Sequence, residues 1–354
     1  MKEVKFSFAR LAATQSAGTL PEVRPAAAAA AVPTASNRRE LHTQACSCIA
    51  RIFSAVRAQS PFSLEPAASV VQRMAAERPH PDELFAVALH LDNPKEFPLH
   101  HGVNVAVYAI KMAQDLGFDA ERQVEIGLAG LLHDVGMALI PEGLLHKQGP
   151  LTTEELTRLR ERPNSAARIL QCLGPAHGRI AESAAQVYER IDGSGHPRGL
   201  AGDEIHEYAQ IIGLLDLYEA LVHGRPNREK LSFFDAVKYI FKSCKNQFQR
   251  RYMKSLLRVF TVFPIGSYVQ LNSEAVGRVI ETVPDEPMRP KLRILFDSQR
   301  RQVLAERFVE LTEAPLLNIV RSVTANEIRE LRLGTAAPSG PGPATCHPVE
   351  APIL

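Results

Sequence analysis

From Leu41 to about Phe260 the apolar residues return at helical spacing, as in Val103, Val105, Val107, Ile110 and Met112, and again in Ile126, Leu128, Leu131 and Leu132. That period commits most of the chain to helices sharing a core. Breaks fall where helix stop and start chemistry puts them: Gly117 after one run, Pro141 after another, then Thr152 with Glu155 three residues on as a capping box. The connections between helices are short, which suits a compact bundle. After Pro264 the pattern changes to short β-type runs, with Val269 and Leu271, Val279 and Ile280, and then Leu292, Ile294 and Phe296 alternating with Arg293 and Asp297. The fold class expected is mainly α, a helical bundle with a small β-rich C-terminal module.

The two ends read differently. Six consecutive alanines lie between Pro25 and Pro33, and Pro338, Pro341, Pro343, Pro348 and Pro352 punctuate the far end, so neither stretch can bury a core. The expected layout is a flexible tail over 1–40, N-terminal helices over 41–95, a helical domain over 96–262, the β-rich module over 263–320 and a second flexible tail over 321–354. No repeat of about 20 to 50 residues is visible, which argues against solenoids and propellers. Leu41, Ile49, Ile52, Phe53 and Val56 form an apolar face that either packs on the bundle or supports a homodimer.

Charge and cysteines narrow the class of function. With 41 Lys and Arg against 39 Asp and Glu the chain lacks the basic excess of a nucleic-acid binder, and no run of about twenty apolar residues exists to span a bilayer. Lys242, Lys245, Arg250, Arg251, Lys254 and Arg258 make one segment basic, a pattern that suits a solvated face. Lys2, Lys5 and Arg10 interrupt the amino-terminal apolar residues, so no secretory signal is expected and the protein is placed in the cytoplasm. The five cysteines, Cys46, Cys48, Cys172, Cys244 and Cys346, show no zinc-finger pairing and read as reduced thiols. The Cys46-Ser47-Cys48 pair suits a soft metal or, more simply, small side chains packed in a helix.

The residues with chemistry lie on the apolar helices. His133-Asp134 ends the run IGLAGLLHDVG, where an imidazole nitrogen and a carboxylate oxygen side by side can ligate a divalent transition metal, or simply bond to the backbone at a helix end. His101 opens the run HGVNVAVYAIKMA. Asp216 interrupts IIGLLDLYEAL, and a carboxylate among Ile211, Ile212, Leu214 and Leu215 must be paired, protonated, metal-bound, or turned to solvent on a polar stripe. His100 stands beside His101, but helical neighbours point about 100° apart, so the two cannot both face one ion.

His101, His133-Asp134 and Asp216 stand in the order of the HD phosphohydrolase superfamily, and from Glu96 to about Pro226 the chain resembles its HD-GYP branch. The run LLHDVGMALIPEGLLHKQGPLTTEE is similar to that branch's HD helix, its Ile-Pro loop and its Lys-x-Gly-x-Leu-Thr-x-Glu-Glu stretch, and the run from Glu189 to Pro197 resembles its Glu-Arg-x-Asp-Gly-x-Gly-Tyr-Pro signature. PIGSYVQLNSEAVGRVIE resembles the small extension that follows such domains. The resemblance implies an HD-type helical bundle at 96–262 and a metal-dependent phosphodiesterase acting on cyclic di-GMP.

The departures from the family pattern shape that expectation. Met137 stands where the family has a phosphate-binding lysine, Arg162 and the Val187-Tyr188 pair where it has metal-binding histidines, His196 at the signature tyrosine, and Gln210 at an arginine. Arginine stays protonated and valine has no donor atom, so neither can replace a ligand. The resemblance then implies one divalent ion at most, iron or manganese, on His101, His133, Asp134 and Asp216, with weak phosphohydrolase activity. Asp134 would orient or deprotonate a metal-bound water, next to His133. Glu96, just before the first histidine, reads as a solvated carboxylate. Arg162 is expected either to fill the second ion's space with a fixed positive charge or to lie exposed beside Arg158, Arg160 and Arg168. His196 and Arg198, on the glycine-rich loop, are expected to meet phosphate. The alternative function is a catalytically inactive module that binds cyclic di-GMP or a signalling partner protein, such as a diguanylate-synthesising domain.

Overall fold

The first helix, α1 (Ala35–Ala58), buries Leu41, Ala45, Ile49, Ile52 and Val56, a spacing of three and four residues that marks one face. The structure, a computed structural model, describes residues 35–76, 97–145, 147, 149–223, 231–260, 262–263, 265–283 and 286–333. The Ala- and Pro-rich ends and Glu96 lie outside the described residues. These residues divide into two units, the first running to His223 and including Asn246–Tyr252, the second formed by Leu231–Lys245 and the chain from Met253 onward.

In the first unit α1 is followed by α2 (Glu65–Ala76), α3 (Phe97–Asp115) and α4 (Ala120–Leu132). Helix α3 leads into Gly117, whose φ of 76° only glycine adopts freely, and α4 is capped by Asp119 accepting from the Arg122 amide. A 3-10 turn (Val135–Leu139) and α5 (Glu142–Leu145) lead to α6 (Thr153–Arg160), which opens on the expected capping box of Thr152 and Glu155. Then follow α7 (Arg162–Gln171), α8 (Gly178–Gln186) and α9 (Glu207–Val222). Helix α9 is apolar on all sides and buried from Tyr208 to Val222, so it forms the centre of the bundle.

Helices α3 and α4 are packed extensively, and α3 also packs on α1 and α9. The contact of α3 and α4 depends on the absence of two side chains. A Cβ on Gly102 would sit 2.9 Å from the Leu131 carbonyl oxygen, and one on Gly130 would sit 3.0 Å from the Ala106 Cα. The backbones thus approach closely, one residue from His101 on one side and three from His133 on the other.

The second unit holds α10 (Phe233–Ser243), capped by Ser232, and an antiparallel sheet ordered β4-β3-β2-β1-β5, from β1 (Tyr268–Leu271), β2 (Val276–Glu281), β3 (Lys291–Phe296), β4 (Phe308–Glu310) and β5 (Ile319–Val323). Along β3, Leu292, Ile294 and Phe296 are buried and Arg293 is exposed, the alternation legible in the sequence. Helix α11 (Arg250–Val259) precedes the sheet in the chain, and the last described helix, α12 (Ala325–Leu333), buries Ile328 against Val276, Phe296 and Val323.

Three boundaries and one surface differ from expectation. The first helix begins at Ala35, inside the stretch assigned to a flexible tail at 1–40. The segment 321–333, assigned to a flexible tail at 321–354, completes the sheet: Val323 pairs with Tyr268 on β1, and Ile328 closes a core too small to be seen as periodicity. Residues 231–245, placed by their helical period in the bundle, belong with the sheet, because α10 packs on β5 and Phe234 stacks on Phe263. The apolar face of α1 is buried within its own unit, against α2, α3 and the 3-10 turn, and so is not available for a homodimer. The basic side chains Lys242, Lys245, Arg250, Arg251, Lys254 and Arg258 are exposed. Among the described residues no helix is long and apolar enough to cross a membrane.

The close crossing at Gly102 has a measurable consequence. Gly102→Ala forces a methyl against the Leu131 carbonyl and is expected to lower unfolding stability by about 1–3 kcal/mol in urea titration. Gly143→Ala, on α5 with open space around it, is expected to be neutral or slightly stabilising.

Candidate metal centre

Three side chains from three helices converge in the first unit. His101 comes from the second turn of α3, His133 caps the C-terminus of α4, and Asp216 projects from the middle of α9. His101 Nε2 lies 3.0 Å from Asp216 Oδ1 and 3.3 Å from His133 Nε2, and His133 Nε2 lies 3.5 Å from the same carboxylate oxygen. All three residues are buried, Asp216 at 3% exposure, so the polar-stripe reading of Asp216 does not hold.

The outer nitrogens of both rings are already engaged. His101 Nδ1 donates to Glu219 Oε2 at 2.6 Å, and His133 Nδ1 donates to the Gly130 carbonyl at 2.7 Å, since a carboxylate and a carbonyl only accept. Each ring is thereby turned so that Nε2 faces Asp216, the arrangement seen around metal-bound histidines. Donor separations of 3.0–3.5 Å are those of ligands sharing one ion with bonds of about 2.1 Å at roughly 90–110°. The residues fit a divalent ion.

The charges are balanced as such a site requires. Burial alone would lower the His101 pKa, but Glu219 and Asp216 outweigh it and raise it to about 10. Burial would likewise raise Asp216, yet its hydrogen bonds to His101 and His133 hold it well below the usual carboxylate range. Two carboxylates facing one imidazole favour its protonated form, and a divalent ion held through Nε2 would take the place of that proton.

Asp134, expected as a fourth ligand, is not among the three converging donors. It stands at the N-cap position of the 3-10 turn without a side-chain capping bond, and its Oδ2 lies 3.6 Å from Arg162 Nη1. Arg162 is 5% exposed, so it is not a solvated arginine on its helix. Burial works against its charge, but Asp134 in particular, then Tyr188 and Asp216, outweigh that and keep the guanidinium protonated. Its other contacts are instructive. Nη1 lies 3.1 Å from Met137 Sδ, Nη2 donates to the Tyr188 hydroxyl at 3.1 Å, and the Tyr188 ring stacks on His196 with centroids 5.2 Å apart. The residues at 137, 162, 188 and 196, all departures from the family pattern, form one contiguous cluster. Gly136 makes room for it, since a Cβ there would lie 2.3 Å from the Arg162 carbonyl oxygen.

The glycine-rich loop is held from below by Glu189, whose carboxylate accepts from the Arg198 amide at 2.7 Å and the Leu200 amide at 2.9 Å. The Arg198 side chain is exposed. His196 is partly buried with Nδ1 enclosed, and burial, reinforced by Arg160, Arg190 and Arg162, pushes its pKa down to about 4.

Three further residues escaped the sequence reading. Glu219, one turn beyond Asp216, orients His101, and Asn104 Nδ2 and His223 Nδ1 each lie 3.2 Å from Glu219 Oε1. The burial argument made for Asp216 applied equally to Glu219, a second acid on the same apolar helix.

Comparison with known proteins agrees with this geometry. A family model described as an HD domain matches residues 69–251, more than half of the chain, and one described as a KOW domain associated with HD domain matches residues 268–331. The chain belongs to the HD domain family. A cyclic di-GMP phosphodiesterase of Pseudomonas aeruginosa is 26% identical over 308 residues, which cover 86% of this chain and 74% of that protein. A 3'3'-cGAMP-specific phosphodiesterase of Vibrio cholerae is 33% identical over 155 residues, 43% of this chain and 36% of its own length. A solved HDG"Y"P protein from Bdellovibrio bacteriovorus superposes with a TM-score of 0.51 at 18% identity, over 63% of this chain and 71% of that one, a likeness of fold. The resemblance to the HD-GYP branch read from the sequence is thus borne out.

Two measurements follow from this arrangement. Arg162→Met removes the partner of Asp134 and Tyr188 and is expected to cost about 1.5–3 kcal/mol in urea unfolding, the range for a charge-assisted hydrogen bond in a protected site. His196 has a folded pKa below its ordinary 6.5, so it takes up its proton more readily when unfolded, and its contribution favours unfolding progressively as pH falls from 6.5 towards 4. In His196→Phe the loss of stability over that window should be shallower than in the wild type, as read from unfolding midpoints at stepped pH.

Proposed function

We propose that this chain is a cytoplasmic HD-GYP-type phosphohydrolase of cyclic di-GMP or a related cyclic dinucleotide, with a centre for one divalent ion, iron or manganese. The observation that supports it is the convergence of His101 Nε2, His133 Nε2 and Asp216 Oδ1, with each imidazole fixed through its other nitrogen. A bound divalent ion supplies there a polarised phosphoryl oxygen and a water of lowered pKa. The chain's own residues do the rest. Asp134, next in sequence to His133, is the acceptor for the proton of an attacking water, and Arg162 keeps its carboxylate ionised and oriented. The Arg162 guanidinium also supplies a fixed positive charge towards a bound phosphate, in a cluster where the family pattern has histidines at 162 and 188. His196, beside Tyr188, and the exposed Arg198 are the loop groups proposed to meet the nucleotide.

A second reading has its own support. The same contact that orients Asp134 also engages it with a guanidinium, and a cluster in which Met137, Arg162, Tyr188 and His196 touch one another is a built structure suited to holding a phosphate without cleaving it. On that reading the chain binds a cyclic dinucleotide, or a signalling partner protein, and turns nothing over.

Elemental analysis of anaerobically purified protein separates the readings at their root. About one iron or manganese per chain, lost in His133→Ala, is expected for the phosphohydrolase. Asp134→Ala should then lower cyclic di-GMP hydrolysis by about 10²–10⁴-fold, the contribution of a positioned general base, while metal content stays unchanged. Nucleotide binding that survives chelator and Asp134→Ala, with no iron or manganese taken up, would establish the binding module instead.

A further inference from the structure

A second cluster of donors, separate from the centre just described, is formed by His42, Cys46 and His100. His42 and Cys46, one helical turn apart on α1, present Nδ1 and Sγ towards His100 at the start of α3. Cys46 Sγ lies 3.6 Å from His42 Nδ1 and 3.6 Å from His100 Nδ1, and the three donor atoms are all within 4.8 Å of one another. A tetrahedral ion with bonds of about 2.3 Å to sulfur and about 2.1 Å to nitrogen has sulfur–nitrogen edges of about 3.5 Å.

The environment selects the protonation state such an ion needs. Asn104 Nδ2 donates to Glu219 Oε1 at 3.2 Å, which leaves Asn104 Oδ1 to accept from His42 Nε2 at 3.1 Å. His42 therefore carries its proton on Nε2 and its lone pair on Nδ1, facing Cys46. One thiol has a single proton and can donate to only one of the two rings it touches, whereas a thiolate bound to a cation shared with both rings engages all three donors at once. His42 is buried, while Cys46 and His100 are half-exposed, so solvent has access to a fourth position.

We propose that His42, Cys46 and His100 form a site for a borderline-soft divalent cation of the zinc class, distinct from the HD centre. One thiolate and two imidazoles are a donor set for zinc, not for magnesium, calcium or manganese. The site joins α1 to α3, and its outer support runs through Asn104 to Glu219, the carboxylate that orients His101. The proposal stands independently of catalysis at the HD centre.

Cobalt(II) added to the full, reduced chain tests it, because only cobalt bound to sulfur gives a thiolate-to-metal charge-transfer band in the near ultraviolet. The band is expected in the wild type and in His133→Ala, and is expected to vanish in Cys46→Ser, whose fold is checked by circular dichroism. A wild-type measurement needs no variant: zinc should slow alkylation of Cys46 at least ten-fold, read by peptide mass spectrometry, and leave Cys172 unaffected. Absence of the band in the wild type, its persistence in Cys46→Ser, or equal alkylation of Cys46 with and without zinc would overturn the proposal.

Discussion

The first unit depends on how closely α3 and α4 approach at Gly102 and Gly130. Two backbones without intervening side chains place His101 and His133 at hydrogen-bond distance, and every later feature of the centre is built around that pair. Asp216 follows because α9, apolar all round, has nowhere to go but the middle of the bundle. A buried carboxylate is tolerated only with partners, and the two imidazoles are those partners. Packing and geometry are thus one constraint: the glycines that let the core close also bring His101 and His133 together.

Much of this was legible in the sequence, for identifiable reasons. The helical period gave the bundle, Thr152 and Glu155 gave the start of α6, and an acid inside IIGLLDLYEAL marked Asp216 as buried. What escaped detection depends on contacts between distant segments. α12 reads as polar because it buries mainly one residue, Ile328, and residues 231–245 have the period of a bundle helix but pack on β5. Glu219, Asn104 and His42 gain their meaning from one another across α9, α3 and α1, and no local pattern records such a meeting. Asp134 shows the converse: adjacency in sequence to His133 suggested a shared ligand role, whereas the turn after α4 directs its carboxylate to Arg162.

Four of the six positions at which this chain leaves its family's pattern touch one another. Met137, Arg162, Tyr188 and His196 are drawn from three separate segments and touch in sequence, thioether to guanidinium to phenol to imidazole. A guanidinium carries permanent charge and has no lone pair to offer a metal ion, so Arg162 meets Asp134 and Tyr188 as a donor only. The contacts do not satisfy every polar atom: Arg162 Nε and His196 Nδ1 are buried without a hydrogen-bond partner.

The chain of contacts from His42 through Asn104 and Glu219 to His101 gives α1 a bearing on where the family's physical unit ends. The matching family region starts at residue 69, after α1 is complete, so a fragment trimmed to that border keeps every HD residue yet loses the far anchor of the carboxylate that aims His101. Homology and mechanics draw the border of this domain in different places, and the amino-terminal helix belongs inside the mechanical one.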